Sequence, residues 1–307
     1  MLINYVLSIP DSDEIRVTFY NEAIEEWNKC HSEIPKVPSI QKNWDNITIK
    51  SIKSSFNCTK KEDSARFLAS QSPEASSWLN VLPSKTIGTL LADNVFRISI
   101  ALRYGCNICV PHNCVCGKAV VNSDGIHGLS CKESAGRFAR HSTFNTILKL
   151  GLSSAQIPAR LEPIGLNHNN KERTDGFTLI PWANGRFLTW DATCRDTLAP
   201  SYIDLTCTVA GKLAERAAKE KRTFYKELLE HCDHIFVAFA IETFGPICAE
   251  GKKFIVDIGK KIEEISGEKR STQFLFQRIS IALQNYNAGC VMGTIPESES
   301  LDEIFLL

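Results

Sequence analysis

The spacing of apolar residues along the chain changes from helical to strand-like near Pro158. Before that point, apolar residues recur every three or four positions, which predicts helices. These helical stretches are residues 11–30, 64–83, 84–105 and 137–154. A Ser-Pro break divides the second stretch into a helix and a short second element, and the third predicts a helical pair with Asn94 as a cap. The fourth carries Phe138, Phe144 and Ile147 at its apolar positions.

Short β-rich runs alternate with helices after Pro158. Residues 175–180 and 186–194 are separated by Asn184-Gly185, which is a strong hairpin signal. Residues 234–243 form a nearly continuous apolar run, which predicts a central strand buried on both faces. Further helices are expected over residues 212–230, 249–267 and 271–289. The pattern predicts an α/β fold with a small mixed sheet and flanking helices, preceded by a mainly helical region.

Length and composition suggest how the chain is divided. Its 307 residues can form two domains, and a hydrophobic content of 43% excludes general disorder. We expect four regions: an acidic extension and linker, a helical region, an α/β domain and an acidic tail, over residues 1–63, 64–151, 152–295 and 296–307. No apolar run is long enough for a membrane span, and the first residues lack a signal-peptide pattern, so no export is expected.

Twelve cysteines are many for a chain in a reducing compartment, and five of them lie between residues 106 and 131. Two cysteines separated by one residue, followed about a dozen residues later by two further soft ligands, can coordinate zinc tetrahedrally. The four ligands with this spacing are Cys114, Cys116, His127 and Cys131. Gly117 would let the backbone turn beneath the ion, and Cys109 and His112 are alternative ligands. We expect a structural Zn²⁺ ion, and the alternative is a loop of thiols without metal.

Basic residues follow this cluster. Residues 101–150 hold six bases and two acids, although the whole chain has 35 of each. Clustered positive charge supports phosphate contacts even in a protein without net charge. The candidates for nucleic-acid contacts are Lys132, Arg137, Arg140 and His141. An ordinary solvated helix face is the alternative interpretation, and any DNA binding is expected to be confined to one face.

Two aspartates occupy matching positions in the predicted hairpin. Asp175 opens its first strand, and Asp191 lies toward the far end of the second. A hairpin folded at Asn184-Gly185 brings both carboxylates to the same end of neighbouring strands. Acids held in this way can chelate a hard divalent cation such as Mg²⁺. Glu162, just before a proline, is a candidate third acid contributed by the preceding helix.

A lysine interrupts the apolar stripe of the helix predicted at 212–230. Lys221 falls within that stripe, and Tyr225 lies one turn further along. A lysine facing the sheet needs an anionic partner, because burying it unpaired is costly. Lys219 is the alternative if the helical phase differs, and a lysine reaching to the domain edge is a second alternative. Paired acids, a cation and a lysine together indicate metal-assisted phosphodiester hydrolysis.

The order of these motifs resembles the C-terminal part of non-LTR retrotransposon polyproteins that carry a restriction-like endonuclease. In that family a Cys-Cys-His-Cys knuckle, an Arg-His pair and a PD-(D/E)xK-type nuclease core follow one another. The knuckle matches the four predicted zinc ligands, and the Arg-His pair matches Arg140-His141. The basic-Pro-Asp motif matches Arg173-Thr174-Asp175, and the second acid matches Asp191. The similarity extends from about Ser64 nearly to the end of the chain.

The resemblance implies a Mg²⁺-dependent DNA endonuclease with a structural zinc knuckle. It assigns the cation to Asp175 and Asp191, and the family's displaced lysine and tyrosine to Lys221 and Tyr225. It also makes Arg173 a nucleic-acid contact. The chain departs from the family pattern at two threonines, which stand where a proline and a lysine are usual, at Thr174 and Thr193. The chain would correspond to a C-terminal piece without the reverse transcriptase.

Two other functions stay open at this level. One is a catalytically inactive nucleic-acid-binding remnant, and the other is a zinc-stabilised scaffold that contacts proteins through the acidic extension and the hydrophobic tail. The expected partner is DNA, with RNA as the alternative, and no membrane is expected. An intracellular, nuclear location is expected. The sequence does not indicate an oligomeric state.

Overall fold

The structure, a computed structural model, describes residues 14–37, 40–134, 136–163, 173–226 and 233–295, with side chains from residue 18 onward. It divides into two compact units, Met1–Thr59 and Lys60–Leu307. The first division therefore falls close to the expected boundary at 63/64. The helical region and the α/β domain belong to one unit, so the structure does not divide at 151/152. The acidic tail at 296–307 lies outside the described residues.

Within its described residues, the N-terminal unit contains the helices α1 (Glu14–Cys30) and α2 (Gln41–Ser55). Helix α1 agrees with the helix predicted over 11–30. Helix α2 was not predicted, because its polar sequence lacks a clear apolar period. Trp44 of α2 is nevertheless buried, and its ring meets the ring of Trp27 edge-on at 4.7 Å. Trp27 also stacks on His31 at 3.8 Å, so this small unit is organised around aromatic rings.

The second unit begins with short helical elements. They are α3 (Lys61–Ser70), a 3₁₀ helix (Pro73–Asn80) and α4 (Asp93–Tyr104). The Ser-Pro break is therefore confirmed. The helical pair expected at 84–105 is wrong, because only its second half is helical. In its first half the chain turns back through Gly88, whose φ is +70°, and Ala92 rather than Asn94 caps the helix.

The cysteine-rich segment folds as a small hairpin followed by helices. Its elements are β1 (His112–Asn113), β2 (Val120–Val121), α5 (His127–Ser130) and α6 (Gly136–Ser154). The two strands pair antiparallel. Helix α6 agrees with the helix predicted at 137–154.

A four-stranded mixed sheet forms the centre of the second unit. Its strands are β3 (Ala159–Leu161), β4 (Gly176–Thr178), β5 (Leu188–Arg195) and β6 (Ile235–Glu242), in the order β3-β4-β5-β6. Strands β3, β4 and β5 pair antiparallel in turn, and β6 pairs parallel to β5. The predicted hairpin is confirmed, with positive φ angles of 51° at Asn184 and 73° at Gly185.

Strand β6 is buried as expected, but it is the last strand in the order and not a central one. Its outer edge is covered by the chain that follows it, because Cys248 N donates to Ala240 O at 2.9 Å and Glu242 N donates to Pro246 O at 2.8 Å. A continuous apolar run indicates that a strand is buried on both faces of its sheet. It does not indicate whether both edges of the strand pair with other strands.

The remaining helices are α7 (Ile203–Thr206), α8 (Lys212–Phe224), α9 (Ala249–Ser266) and α10 (Ser271–Met292). Helix α8 packs on one face of the sheet through alanines that meet Ala238 and Ala240 of β6. Because these side chains are small, α8 approaches the sheet closely. The opposite face, with Trp190 and Phe239, packs with α6, α9 and α10.

Helix α10 joins the two halves of the second unit. It contributes Leu275 and Ile279 to the core beneath the sheet and Val291 to the core beneath the cysteine-rich segment. A Cβ atom on Gly128 of α5 would lie 2.6 Å from Cys290 O, so α5 and α10 are in close contact. This packing is why the unit does not divide. Among the described residues, no helix is long and apolar enough to cross a membrane.

Candidate functional site

The four predicted zinc ligands converge beside the β1–β2 hairpin. The ligand atoms of Cys114, Cys116, His127 and Cys131 all lie within 4.8 Å of one another. Cys114 Sγ is 3.8 Å from Cys131 Sγ, and Cys116 Sγ is 3.6 Å from His127 Nε2. Tetrahedral Zn²⁺, with Zn–S of about 2.3 Å and Zn–N of about 2.0 Å, separates its ligands by roughly 3.5–3.8 Å. The cluster could therefore hold a metal ion such as zinc.

The backbone shapes this cluster. Gly117 turns the chain after the knuckle with a φ of +66°, and its N–H donates to Cys114 O at 2.8 Å. A backbone N–H from Lys118 lowers the pKa of Cys116 to about 6, which favours the thiolate that binds metal. Four protein ligands fill a tetrahedral coordination sphere, so a metal bound here would have no open coordination position. Such sites stabilise the fold.

The two alternative ligands are engaged elsewhere. Cys109 Sγ donates to Asn122 O at 3.3 Å, and burial raises the pKa of its thiol to about 11. His112 uses Nδ1 with Val110 O at 2.9 Å and Nε2 with the Thr294 hydroxyl at 3.0 Å. Neither residue therefore belongs to the cluster.

The two aspartates lie side by side where β4 begins, because Asp175 directly precedes β4 and Asp191 lies in the middle of the neighbouring β5, which corrects its predicted place toward the far end of the second strand. Asp175 immediately precedes β4, and its N–H donates to Trp190 O, the residue before Asp191, at 2.9 Å. Asp175 Oδ2 also accepts the Ala192 N–H at 2.7 Å, so its carboxylate reaches across to β5. The hairpin therefore places both carboxylates next to each other.

Trp190 determines how helix α6 docks beside this pair. Its ring lies across Gly176, where a Cβ atom would be only 1.9 Å from the ring, so only glycine fits there. Trp190 Nε1 donates to Asn145 Oδ1 on α6 at 3.0 Å. One turn earlier on the same helix, His141 Nε2 lies 2.8 Å from Asp175 Oδ2. The tryptophan thus holds α6 where its histidine meets the carboxylate.

Asp175 and His141 shift each other's protonation. Burial favours the neutral form of Asp175, but the hydrogen bonds from His141 and Ala192 outweigh it and hold the pKa of this carboxyl below its usual value. The hydrogen bond to Asp175 raises the pKa of His141, against a smaller effect of burial. The pair therefore favours an ionised aspartate beside a protonated histidine.

Asp191 is buried beneath helix α8. Lys221 Nζ lies 2.8 Å from Asp191 Oδ1, and the Tyr225 hydroxyl lies 2.6 Å from Oδ2. The amine approaches out of line for a hydrogen bond, so the buried Oδ1 receives no aligned donor from the described residues. Burial, reinforced by the charge of Asp175, raises the pKa of Asp191 despite the lysine.

Tyr225 also contacts the chain before β4. Its hydroxyl lies 2.7 Å from Arg173 O, and its ring packs against Phe236 at 5.2 Å. The single hydroxyl proton can serve either Arg173 O or Asp191 at one time. The buried tyrosine therefore links β5 to the chain before β4, while the Arg173 side chain is exposed.

Two sequence predictions about this site are resolved by position. Lys221 and not Lys219 meets the aspartates, since Lys219 is exposed on α8. Glu162 follows strand β3 and not a helix, and its N–H donates to Asp175 O at 2.9 Å. Its side chain is exposed and its φ is +49°. The backbone of Glu162 therefore contacts Asp175, and its carboxylate points to solvent.

A concave surface beside His141, here called the basic cleft, has a volume of about 480 Å³. Its lining comes from the end of the zinc cluster, from helix α6 and from strand β5: Lys132, Arg137, Phe138, Arg140, His141, Thr193 and Cys194. Arg140 is only 3% exposed and donates to Asn287 Oδ1 at 2.8 Å, so it acts as a structural wall of the cleft. Phe138, one of the apolar positions of the predicted helix, is 82% exposed.

Sequence reasoning missed Asn145 and Trp190. No role was assigned to either residue, because their contact joins residues 45 positions apart in the chain. The only local signal was the glycine that follows Asp175, since a glycine within a strand marks a close approach of another group.

Comparison with protein-family models finds no match to this chain, and comparison with curated proteins finds none either. The resemblance to retrotransposon endonucleases therefore stays a prediction from the sequence motifs.

Proposed function

We propose that the protein is a metal-dependent DNA endonuclease of the restriction-like type. The observation that carries this proposal is the convergence of Asp175, just before β4, and Lys221 of α8 on Asp191 in the middle of β5. A small mixed sheet with flanking helices also agrees with the fold that the family resemblance implies. The basic cleft beside the carboxylates provides a surface for the phosphate backbone.

The carboxylate pair fits a divalent cation such as Mg²⁺. Hard cations of this kind bind carboxylate oxygens and retain several waters. Asp191 Oδ1 is buried without an aligned hydrogen-bond donor. The singly charged amine of Lys221 lies 2.8 Å from this oxygen. Asp175 and Asp191 would hold the ion, with the lysine amine serving as the counter-charge in its absence. When bound, such an ion polarises the scissile phosphate and lowers the pKa of a coordinated water.

The protein's own residues prepare the site. Tyr225 and Lys221 hold the Asp191 carboxylate from two sides, and His141 holds that of Asp175. The Lys221 amine lies over the Tyr225 ring, 5.9 Å from its centre, where the ring's electron density favours a cation. From there the amine would donate to a phosphate oxygen or to the attacking water. Preorganised donors of this kind stabilise negative charge that develops in the transition state.

Nicking of supercoiled plasmid DNA tests the proposal. The zinc-loaded protein is expected to convert supercoiled plasmid to open circles when Mg²⁺ is added, and Asp191→Ala is expected to abolish this conversion. Asp257→Ala is the matched control, because Asp257 is an acidic residue of helix α9 outside the site. Equal nicking by wild type and Asp191→Ala, or none by either, would refute the endonuclease.

A catalytically inactive DNA-binding function is the second candidate. It is favoured by the basic cleft, since its exposed cations Lys132 and Arg137 can bind phosphate whether or not the carboxylates hold a metal. Salt-sensitive DNA binding without cleavage would select this function. Absence of any salt-dependent DNA affinity would leave the zinc-stabilised scaffold.

A further inference from the structure

The exposed aromatic residue of the basic cleft has no role in the fold. Phe138 is 82% exposed, while Phe144 and Ile147 of the same helix are buried in the core. Single exposed apolar residues are common and need no explanation by themselves. Phe138 differs because it lies in a concave surface whose other exposed side chains are cationic.

The charge of the cleft favours a nucleic-acid strand over an apolar ligand. No acidic side chain lines it among the described residues, and Lys132 and Arg137 are exposed at its rim. A positively charged groove with an aromatic side chain is the combination that binds single-stranded nucleic acid. In such grooves the cations follow the phosphates and the rings stack on the bases.

The position of Phe138 relates this cleft to the carboxylate pair. Phe138 precedes His141 by three residues on α6, so the two side chains are neighbours on one side of the helix. His141 Nε2 is 2.8 Å from Asp175 Oδ2. A base stacked on Phe138 would therefore belong to a nucleotide next to the phosphate at the carboxylates.

We propose that the basic cleft binds an unpaired DNA nucleotide adjacent to the scissile phosphate, with its base stacked on Phe138. In an undistorted duplex the bases present only their edges in the grooves, so a ring reaches a base face without kinking the DNA only where the base is unpaired. This inference rests on the proposed endonuclease and specifies its substrate as DNA with an unpaired base at the cut.

Binding without divalent cation tests the inference independently of cleavage. Fluorescence anisotropy compares labelled single-stranded and duplex DNA of the same sequence, with zinc-loaded wild type, Phe138→Ala, Phe138→Leu and Phe138→Trp. Loss of one stacked base is expected to weaken single-strand binding about tenfold in the Ala and Leu variants. The Trp variant is expected to retain the affinity, and duplex binding is expected to change by less than about twofold.

Tyr104→Ala is the matched control, since Tyr104 is an exposed aromatic residue at the end of α4, away from the cleft lining. Its single-strand affinity should equal that of wild type. Equal binding by wild type and Phe138→Ala, or full retention by Phe138→Leu, would overturn the stacking role even if plasmid is nicked. Phe138-dependent binding without any nicking would retain the stacking site and remove the endonuclease instead.

Discussion

The cysteine–histidine cluster and the carboxylate pair differ in whether the protein supplies a complete set of ligands or donors. In the cluster, four soft ligand atoms lie within 4.8 Å of one another and match one tetrahedral ion. In the carboxylate pair, a lysine, a tyrosine and a histidine contact the two acids, yet the buried Asp191 Oδ1 still lacks an aligned donor. A closed set of ligands suits a structural ion, and an incomplete set leaves room for a ligand from outside.

Loss of a cluster ligand should have the largest effect. Cys131→Ser is expected to lose bound zinc and to unfold the surrounding segment, because structural zinc contributes on the order of 10 kcal/mol to folding. Zinc content and thermal unfolding followed by circular dichroism measure this. Cys207→Ser, in the turn after α7, is the control and should keep both zinc and stability. A Cys131→Ser protein that keeps its metal would contradict the closed cluster.

Lys221 should dominate catalysis at the carboxylate pair. Lys221→Met is expected to slow plasmid nicking by about 10²–10³-fold, as for removal of one preorganised donor to the developing charge. Lys219→Met, two residues earlier and exposed, should change the rate by less than about twofold. Single-turnover nicking rates measure both variants. A larger effect of Lys219→Met would assign the role to the other lysine.

A buried carboxylate elsewhere in the unit shares the raised pKa of Asp191, although backbone N–H groups donate to it. Glu242 Oε1 accepts the N–H groups of Leu213 and Ala214, both at 3.1 Å, at the start of α8. Burial nevertheless raises the pKa of Glu242 to about 7 from its ordinary 4.5. The folded state therefore retains this proton more strongly than the unfolded state does.

Stability should accordingly fall with rising pH. The contribution of Glu242 is fully present below about pH 4.5 and is lost as pH rises through about 7, at a cost on the order of 2 kcal/mol. Urea unfolding between pH 5 and pH 8 measures it, and Glu242→Gln should flatten that part of the profile. An unchanged profile in Glu242→Gln would show that other groups cause the dependence.

The tyrosine hydroxyl should have the smallest effect. Tyr225→Phe removes the contact with Asp191 Oδ2 but keeps the ring against Phe236. The expected loss is about 1 kcal/mol of stability, as for one hydrogen bond, with a decrease in nicking of about tenfold at most. Thermal unfolding and nicking rates measure these changes. A loss as large as that of Lys221→Met would give the hydroxyl a direct role in the reaction.

Local patterns in the sequence predicted the parts of the structure that depend on neighbouring residues. Asn184-Gly185 predicted the hairpin, because both residues adopt positive φ angles that few others tolerate. The apolar stripe of helix α8 predicted that Lys221 faces the sheet, because residues three or four apart share one side of a helix.

Contacts between distant residues could not be predicted in this way. Arg140 was expected to face nucleic acid, but its partner Asn287 lies 147 residues away on α10. Phe138 and Phe144 are both apolar positions of α6, yet only Phe144 is buried, because a helical period identifies apolar positions but not which of them another element covers. The edge position of β6 likewise depends on the order of the strands, which the apolar run does not record.

Binding of Mn²⁺, as a paramagnetic substitute for Mg²⁺, tests the proposed cation site at Asp175 and Asp191 most directly. Electron paramagnetic resonance titration of zinc-loaded protein should show one bound Mn²⁺ in wild type and in Asp257→Asn, and none in Asp191→Asn at the same concentrations. Asp191→Asn keeps the shape of the side chain and removes its charge, so the fold is retained. Equal Mn²⁺ binding by wild type and Asp191→Asn would contradict the account.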